Sequence, residues 1–291
     1  MHSTGADEAL AGPVTVYTAG SQLRDPIRLA RAMLRDLAAS RELAWRLLVR
    51  NLSERYRQTV LRYTWTLLPT LLTTLTFTLL HEAGHFTVAK TAAPYGVFVL
   101  CGMTLWQAFA DALVAPTRMI SQSINMVTRV QFPREALVLA GAGEVVCFLV
   151  IRMTLLIAVI LWSGVPLHHG MILVPLGVVA LISLGIAFGL LLTPFAVLYQ
   201  DVSHGLPFII SLWMFATPVF YPLSEAGLSS SFAFFNPVTP LLDTTRAWIL
   251  AEPAIVETAF LWLAPAALCV LIIGWLVYRL GLSILIERMS A

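Results

Sequence analysis

The stretch Leu137–Trp162 reads LVLAGAGEVVCFLVIRMTLLIAVILW and contains only two charged residues, Glu144 and Arg152. An α-helix of about 20 apolar residues crosses the hydrocarbon core of a bilayer, so this stretch is long enough to span a membrane. Over the whole chain, 58% of residues are hydrophobic, 12% are charged and the mean hydropathy is +0.83. This composition excludes an ordinary soluble domain and indicates an all-α integral membrane protein.

Comparable apolar runs recur along the chain and predict six transmembrane helices. Each is close to the length of about 20 residues that a membrane-spanning helix needs. The predicted spans are Tyr63–Leu80, Tyr95–Val114, Leu137–Trp162, Met171–Tyr199, Leu206–Pro222 and Phe260–Leu282. The residues before the first span contain no signal-peptide pattern, so we expect the N-terminus to be retained.

The positively charged residues are distributed unevenly. Of the 18 Lys and Arg residues, ten precede the first span, three lie between the second and third spans, and two lie near the C-terminus. Because cytoplasmic loops carry the excess of Lys and Arg, both termini are predicted to be cytoplasmic. The net charge of +2 gives no indication of nucleic-acid binding.

The composition divides the chain into three parts. Residues 1–24 are polar and are expected to form a flexible N-terminus. In residues 25–62, arginines alternate with leucines and isoleucine at helical spacing, which predicts an amphipathic helix with a cationic face. Such a helix would lie along the inner membrane surface or against a cytoplasmic partner. Residues 63–291 are expected to form the transmembrane domain.

The connection Pro222–Pro253, between the fifth and sixth spans, is long for a loop. It contains two short apolar pieces, SFAFF and PLLDTTRAWIL, on either side of Asn236-Pro237. Half-length pieces of this kind suit a re-entrant hairpin, which is tolerated at membrane depth only where protein buries its backbone. We therefore predict a re-entrant hairpin on the outer side of the membrane.

The stretch His81–His85, HEAGH, matches a zinc-binding pattern in which two histidines share one helix face. In that pattern Glu82 would polarise a water molecule, and the segment Asn236–Thr244 resembles the part of intramembrane metalloproteases that supplies the third ligand. Gly84 weakens the helix that the pattern requires, and Thr244 stands where the protease pattern has glycine. A zinc intramembrane protease is therefore the alternative from another functional class.

A second pattern overlaps the first. Gly84, Lys90 and Thr91 have the spacing of a phosphate-binding loop, but Ala89 replaces the second glycine that lets backbone amides approach a phosphate. The pattern also follows a predicted membrane span instead of a strand. If this protein uses ATP, we expect another chain to hydrolyse it.

The three cysteines are Cys101, Cys147 and Cys269, and all lie within apolar runs. Their spacing fits neither a metal site nor a disulfide framework. We expect buried thiols and predict no metal or other cofactor.

Two motifs on the predicted cytoplasmic side carry a family resemblance. The connection after the second span ends in Phe132-Pro133-Arg134-Glu135. It resembles the same connection in type-2 ABC export permeases, which move O-antigen, capsule and teichoic-acid polymers. The N-terminal element of that family is matched as well, at Arg50, Asn51, Leu52, Arg55, Tyr56, Arg57, Leu61 and Trp65.

Further matches follow in the same order along nearly the whole chain from about Leu47. They are Pro94-Tyr95, Gly102, Trp106, Tyr199, Asp201, Val202, Thr217-Pro218-Val219, Tyr221, Asn236-Pro237, Pro240 and Arg246. The resemblance implies a homodimer of six-span subunits in the bacterial inner membrane, docked on two copies of a separate ATP-binding subunit. It also implies a lipid-linked polysaccharide as cargo and no catalysis by this chain. The alternative cargo is a small amphipathic drug or antibiotic.

The resemblance places the ATPase-coupling residues on the inner side. They are Arg55, Tyr56, Phe132, Pro133, Arg134, Glu135 and Asp201. Within the spans, Glu144, Arg152 and Asp111 are costly in lipid and are expected to face the bundle interior. Pairing between spans and a functional role both remain open for them.

In the fifth predicted span, four residues are spaced to fall on one helical stripe: Trp213, Thr217, Phe220 and Tyr221. Tyr and Trp combine an apolar face with a polar tip, so such a stripe can contact sugar rings and line a translocation path. Pro218 removes a backbone hydrogen bond and allows a bend there. The same residues also fit an interfacial aromatic belt.

Overall fold

The computed structural model describes residues 33, 35–56, 64–85, 93–129, 135–166, 168–223 and 235–290, which form helices and connections without a strand. A short 3-10 helix, His169–Leu173, precedes the fifth α-helix. The α-helices are α1 (Arg41–Tyr56), α2 (Thr64–Glu82), α3 (Tyr95–Arg129), α4 (Glu135–Trp162), α5 (Val174–Leu198), α6 (Gln200–Ala216), α7 (Val238–Leu250) and α8 (Glu257–Ser290).

Four helical stretches are long and apolar enough to cross a membrane. They are Tyr95–Ser123, Glu135–Trp162, His169–Leu198 and Glu257–Gly281. Helix α2 lies at the predicted first span but is rich in threonine, and α6, at the fifth, has only 17 residues. The prediction of an all-α membrane protein is confirmed, and the count of six spans stays a prediction.

Helix α3 forms the centre of the bundle, and α5 packs closely against it. Phe98, Leu105 and Phe109 of α3 are completely buried. A Cβ atom added to Gly185 would lie 2.6 Å from the carbonyl oxygen of Phe109, and one at Gly189 would overlap the next turn of α3. Two glycines four residues apart therefore allow the backbones of α3 and α5 to touch, as in other membrane helix pairs.

Contacts at the helix ends fix the direction in which each helix runs. The end of α2 meets the start of α3, where the rings of His81 and Tyr95 lie 4.4 Å apart. At the other end of the bundle, Glu135 at the start of α4 meets Arg279 of α8. Helix α1 also lies at this second end, against α4. We call it the α1 end and the other one the opposite end.

Helix α1 lies within the predicted amphipathic segment and buries its apolar face against protein. Ala44 and Leu47 share a buried cluster with the start of α4. Leu48 packs so closely that a Cβ at Gly143 would lie 2.8 Å from its Cδ2 atom. Trp45 on the other face is 65% exposed.

The cysteines differ in burial. Cys101 is buried, Cys147 is half-buried and Cys269 is exposed on the surface of α8. The prediction of buried thiols is therefore confirmed for Cys101 and wrong for Cys269. An apolar run alone does not distinguish the face of a membrane helix that packs on protein from the face that points outward.

Candidate functional site

Glu135, a predicted coupling residue, begins α4 and points into the protein. Its side chain is 8% exposed, and its Oε1 atom accepts a hydrogen bond from Nη1 of Arg279 at 3.3 Å. The second arm of Arg279, Nη2, donates to Oδ2 of Asp36 at 2.7 Å. Glu135 is therefore held in place by α8 of the same chain.

Of the other predicted coupling residues, the structure describes the side chain of Asp201 alone. Phe132, Pro133 and Arg134 lie outside the described residues, directly before α4. Helix α1 ends with Arg55-Tyr56, whose side chains are likewise outside the described part. Asp201 is exposed in the first turn of α6.

Two ion pairs join α3 to α4 within the bundle. Arg152 Nη1 lies 2.6 Å from Asp111 Oδ2, and the Arg152 side chain is 7% exposed. Two turns closer to the α1 end, Arg118 is paired with Glu144, whose side chain is 4% exposed. Buried charges require such partners. The geometry thus supports the interpretation of Glu144 and Arg152 as paired between spans.

A cleft of about 540 Å³ opens between α1, α3 and α4, beside the Arg118–Glu144 pair. Within it Asn51 Nδ2 contacts the sulfur of Met119 at 3.3 Å. Its lining residues are Arg50, Asn51, Glu54, Arg118, Met119, Gln122, Ser123 and Glu144. Each arginine has a glutamate close by, since Arg50 Nε also lies 3.7 Å from Glu54. The cleft therefore presents balanced charges and no clear preference for an anion or a cation.

At the opposite end, Arg246 of α7 is almost fully buried. Its Nη1 donates to the carbonyl oxygen of Pro218 at 2.7 Å, and its Nη2 donates to Asp243 Oδ1 at 2.5 Å. The guanidinium carbon also lies 4.0 Å from the ring centroid of Phe98 in α3. One side chain therefore joins α7, the chain after α6, and α3. We call Arg246 with these three partners the Arg246 cluster.

Asn236 makes the next connection at this end. Its Nδ2 donates to Thr217 Oγ1 at 2.9 Å, and its Oδ1 accepts from Trp213 Nε1 at 3.2 Å. The same oxygen accepts from the backbone N–H of Val238 at 3.1 Å, at the start of α7. This side chain therefore fixes the start of α7 against the end of α6.

The predicted stripe of Trp213, Thr217, Phe220 and Tyr221 on one helix is wrong. Helix α6 ends at Ala216, and Thr217 has an extended backbone with φ −102° and ψ 139°. The cause is Pro218, because a residue before proline is disfavoured in the helical region. Thr217 and Phe220 are buried, whereas Trp213 and Tyr221 are half-buried.

Comparison with known proteins identifies the family. The family model described as ABC-2 type transporter matches residues 42–250. The chain belongs to the ABC-2 type transporter family. It is also 28% identical over 248 residues to the O-antigen export system permease protein RfbA of Myxococcus xanthus, an alignment that covers 80% of this chain and 93% of that protein.

This ABC-2 permease is the membrane subunit of a transporter and pairs with an ATP-binding subunit. The family predicted from the motifs is therefore confirmed. Several of the matched motif residues meet at the opposite end of the bundle. Gly102 is one of them, because a Cβ there would lie 2.5 Å from the carbonyl oxygen of Val219. Tyr95 is another, and its hydroxyl donates to the carbonyl of Phe220 at 3.0 Å.

In this ABC-2 permease the two histidines of the zinc pattern do not lie on one helix face. Helix α2 ends at Glu82, and Gly84 has φ +74°, in the left-handed region that closes a helix. His85 therefore lies beyond the helix and does not share a face with His81. Asp243, in the segment resembling the third-ligand region, is paired with Arg246. Among the described residues, no group of three His, Cys, Asp or Glu side chains is placed to hold a metal.

The sequence contains no signal for the two ion pairs of Arg279 at the α1 end. In the sequence, Arg279 is only a positive charge near the C-terminus, and Asp36 belongs to no motif. No sequence pattern links Asp36, Glu135 and Arg279, because the three residues are remote from one another along the chain. At the opposite end a signal was present, since Asp243 and Arg246 are three residues apart in an apolar segment and so share a helix face.

Proposed function

We propose that this ABC-2 permease exports a lipid-linked polysaccharide of the O-antigen type across the bacterial inner membrane. The observation that carries the proposal is its similarity to an O-antigen export permease over 93% of that protein's length. The motif matches at both ends of the chain agree with it. Energy would come from two copies of a separate ATP-binding subunit at the α1 end.

The proposed topology has six spans, with α2 and α6 as the first and fifth, and both termini in the cytoplasm. Exposed Trp and Tyr residues support this placement, because such residues are enriched at both membrane surfaces. Trp65 and Tyr199 lie at the α1 end, and Trp162 and Trp262 lie at the opposite end. The α1 end would then be cytoplasmic, and the buried helix α7 would belong to a re-entrant hairpin on the outer side.

We further propose a homodimer in which α2 and α6 of the two copies meet. Helix α2 carries many threonines and α6 is short, so neither is suited to cross lipid without a protein neighbour. Both nevertheless expose large apolar side chains, namely Leu71, Leu72, Leu75, Leu79, Phe208, Ile209, Leu212 and Phe215. A second copy would cover these faces.

The translocation path is proposed to run along this dimer axis. Trp213 and Tyr221 are the two predicted path residues that are only half-buried. They would offer flat apolar faces with polar tips to passing sugar rings. Thr217 and Phe220 would instead support the path wall, since both are buried within the subunit.

Deleting the gene in the source organism tests the cargo. We expect loss of the surface polysaccharide and accumulation of its lipid-linked form inside the inner membrane, both restored by the intact gene. The measurement is separation and immunoblotting of surface glycolipid beside extraction of the intracellular lipid-linked pool. Normal surface polysaccharide, together with increased sensitivity to amphipathic drugs, would instead support the alternative cargo.

Replacing Pro133 by glycine, or Glu135 by lysine, is expected to abolish export while the permease remains in the membrane. A docking contact transmits motion only if the two chains meet in one geometry, and Pro133 restricts the backbone there. Glu135→Lys would also place a second cation beside Arg279. Surface polysaccharide is measured against permease and ATPase levels in membranes, with Gly205→Ala as a control. Normal export by both variants would locate the coupling contact elsewhere.

A further inference from the structure

We infer that Arg279 is a positioning residue that links the proposed coupling segment, Phe132–Glu135, to the packed core of the permease. The inference rests on the proposed coupling role of Phe132–Glu135. Arg279 belongs to α8, whereas its partners are Asp36 in the N-terminal segment and Glu135 at the start of α4. One guanidinium group thus joins three elements that are remote in the sequence. We call these three residues the Arg279 triad.

The triad is sheltered from solvent. The Arg279 side chain is 11% exposed, and those of Glu135 and Asp36 are 8% and 30% exposed. A planar guanidinium can hold two carboxylates with separate nitrogen atoms, which fixes their relative positions. The Arg46–Glu42 pair of α1 is by contrast more than 70% exposed on both sides, and such pairs hold no fixed geometry.

On one side of the triad, α8 is packed tightly against α5. A Cβ at Gly274 would lie 2.8 Å from the carbonyl oxygen of Ala187, and one at Gly281 would lie 3.0 Å from Cγ of Pro194. Helices in such close backbone contact are expected to move as one unit. Arg279, between these two glycines, therefore has a rigid support.

On the other side, α1 and the start of α4 form a second unit. Leu47 of α1 shares a buried cluster with Ala136 and Ala140 of α4. In the sequence, α4 follows directly after Phe132-Pro133-Arg134. The same cluster also includes Leu190 of α5 and Tyr278 of α8, but these apolar contacts are non-directional, and the ion pairs of α4 with α3 lie farther from Glu135. The ion pairs of Arg279 have a defined geometry. They are therefore suited to transmit a displacement of the coupling segment to the α5–α8 unit.

A distance measurement between the two units tests this role. One spin label is placed on the exposed native Cys269 of α8 and another on α1 through Arg46→Cys, with Cys101 and Cys147 replaced by alanine. The labelled permease is diluted with unlabelled copies and purified with its ATP-binding subunit. We expect the same label distance in the nucleotide-free and the vanadate-trapped complex, because the units move together. In Arg279→Gln, trapping should change the distance by several ångströms while ATP hydrolysis continues.

Further variants separate positioning from general instability. Arg279→Lys keeps the charge but not the two-armed geometry, and it should show the same change in distance even if Arg279→Gln does not accumulate. Arg41→Gln, on the exposed face of α1, is the matched control and should behave as the parent. Export should fall about tenfold in Arg279→Gln, within the range of known coupling contributions.

The inference is overturned if Arg279→Gln and Arg279→Lys show the same nucleotide response as the parent. Both measurements use only the labels and ATP, so they do not depend on which cargo is exported. A wrong cargo would appear in the gene-deletion experiment and leave these distances unaffected.

Discussion

Replacing Gly189 by alanine is expected to disrupt the α3–α5 contact and to lower the stability of the whole bundle. The added Cβ would overlap the backbone carbonyl of Leu113, which cannot move without displacing α3. Overpacking a close contact of this kind typically costs about 1–3 kcal/mol. Gly185→Ala meets the carbonyl of Phe109 on the same face, so the two changes together should prevent accumulation of folded protein.

The matched control is Gly205→Ala in α6, where a Cβ would meet no atom within 4 Å. Alanine favours a helix over glycine by about 1 kcal/mol, so this control should be neutral or stabilising. Thermal unfolding of the detergent-solubilised permease, together with its level in membranes, provides the comparison. If Gly189→Ala unfolds at the same temperature as the Gly205→Ala protein, the close approach of α3 and α5 is not as tight as described.

This contact also shows how far the sequence could predict the packing. The apolar runs located α3, α4, α5 and α8, because length and hydropathy decide whether a helix can span a membrane. The apolar runs do not indicate which helix faces pack against each other. The four-residue spacing of Gly185 and Gly189 is a signal for close helix packing. Its partner on α3 was not predictable, since no pattern marks a carbonyl group as a contact.

The error at Trp213–Tyr221 has a different physical origin. The predicted stripe assumes a continuous helix from Trp213 to Tyr221. Pro218 interrupts it, because a proline disfavours helical backbone at the residue before it. Thr217 is in fact extended, and its neighbours turn back toward Asn236 and Arg246. Arg246 belongs to α7 and Asn236 lies just before it, so the local sequence of α6 does not reveal these hydrogen bonds. The spatial arrangement of these residues therefore depends on another helix.

For the zinc pattern, by contrast, one residue, Gly84, is sufficient to predict the local structure. Gly84 was recognised as unfavourable for the helix that the pattern requires, and it ends that helix in the structure. The N–H groups of Gly84 and His85 bond back to the carbonyls of His81 and Leu80, as expected for a glycine-terminated helix. Local backbone chemistry therefore decided this question, whereas the Arg279 triad required the tertiary structure.

Replacing Arg246 by methionine is expected to cost about 3–5 kcal/mol, because it leaves the buried charge of Asp243 without its partner. The Arg246 side chain is 2% exposed and that of Asp243 is 8% exposed, so water cannot compensate. The carbonyl of Pro218 would lose its donor as well, and Phe98 its cationic neighbour. The connection after α6 should then separate from α7, and export should be lost with the fold of this end.

The double variant Arg246→Met with Asp243→Leu distinguishes two effects of losing Arg246. One is the unpaired charge of Asp243, and the other is the loss of the packing of the arginine side chain. Replacing both charges by apolar groups removes the uncompensated carboxylate, so we expect recovery of more than half of the lost stability. Arg46→Met is the surface control, and breaking its exposed pair with Glu42 should cost no more than about 1 kcal/mol. Thermal unfolding of the parent, of the single variants Arg246→Met and Asp243→Leu, and of the double variant provides the cycle. If the double variant is as unstable as the sum of its single changes, the charge of Asp243 is not what makes Arg246 necessary.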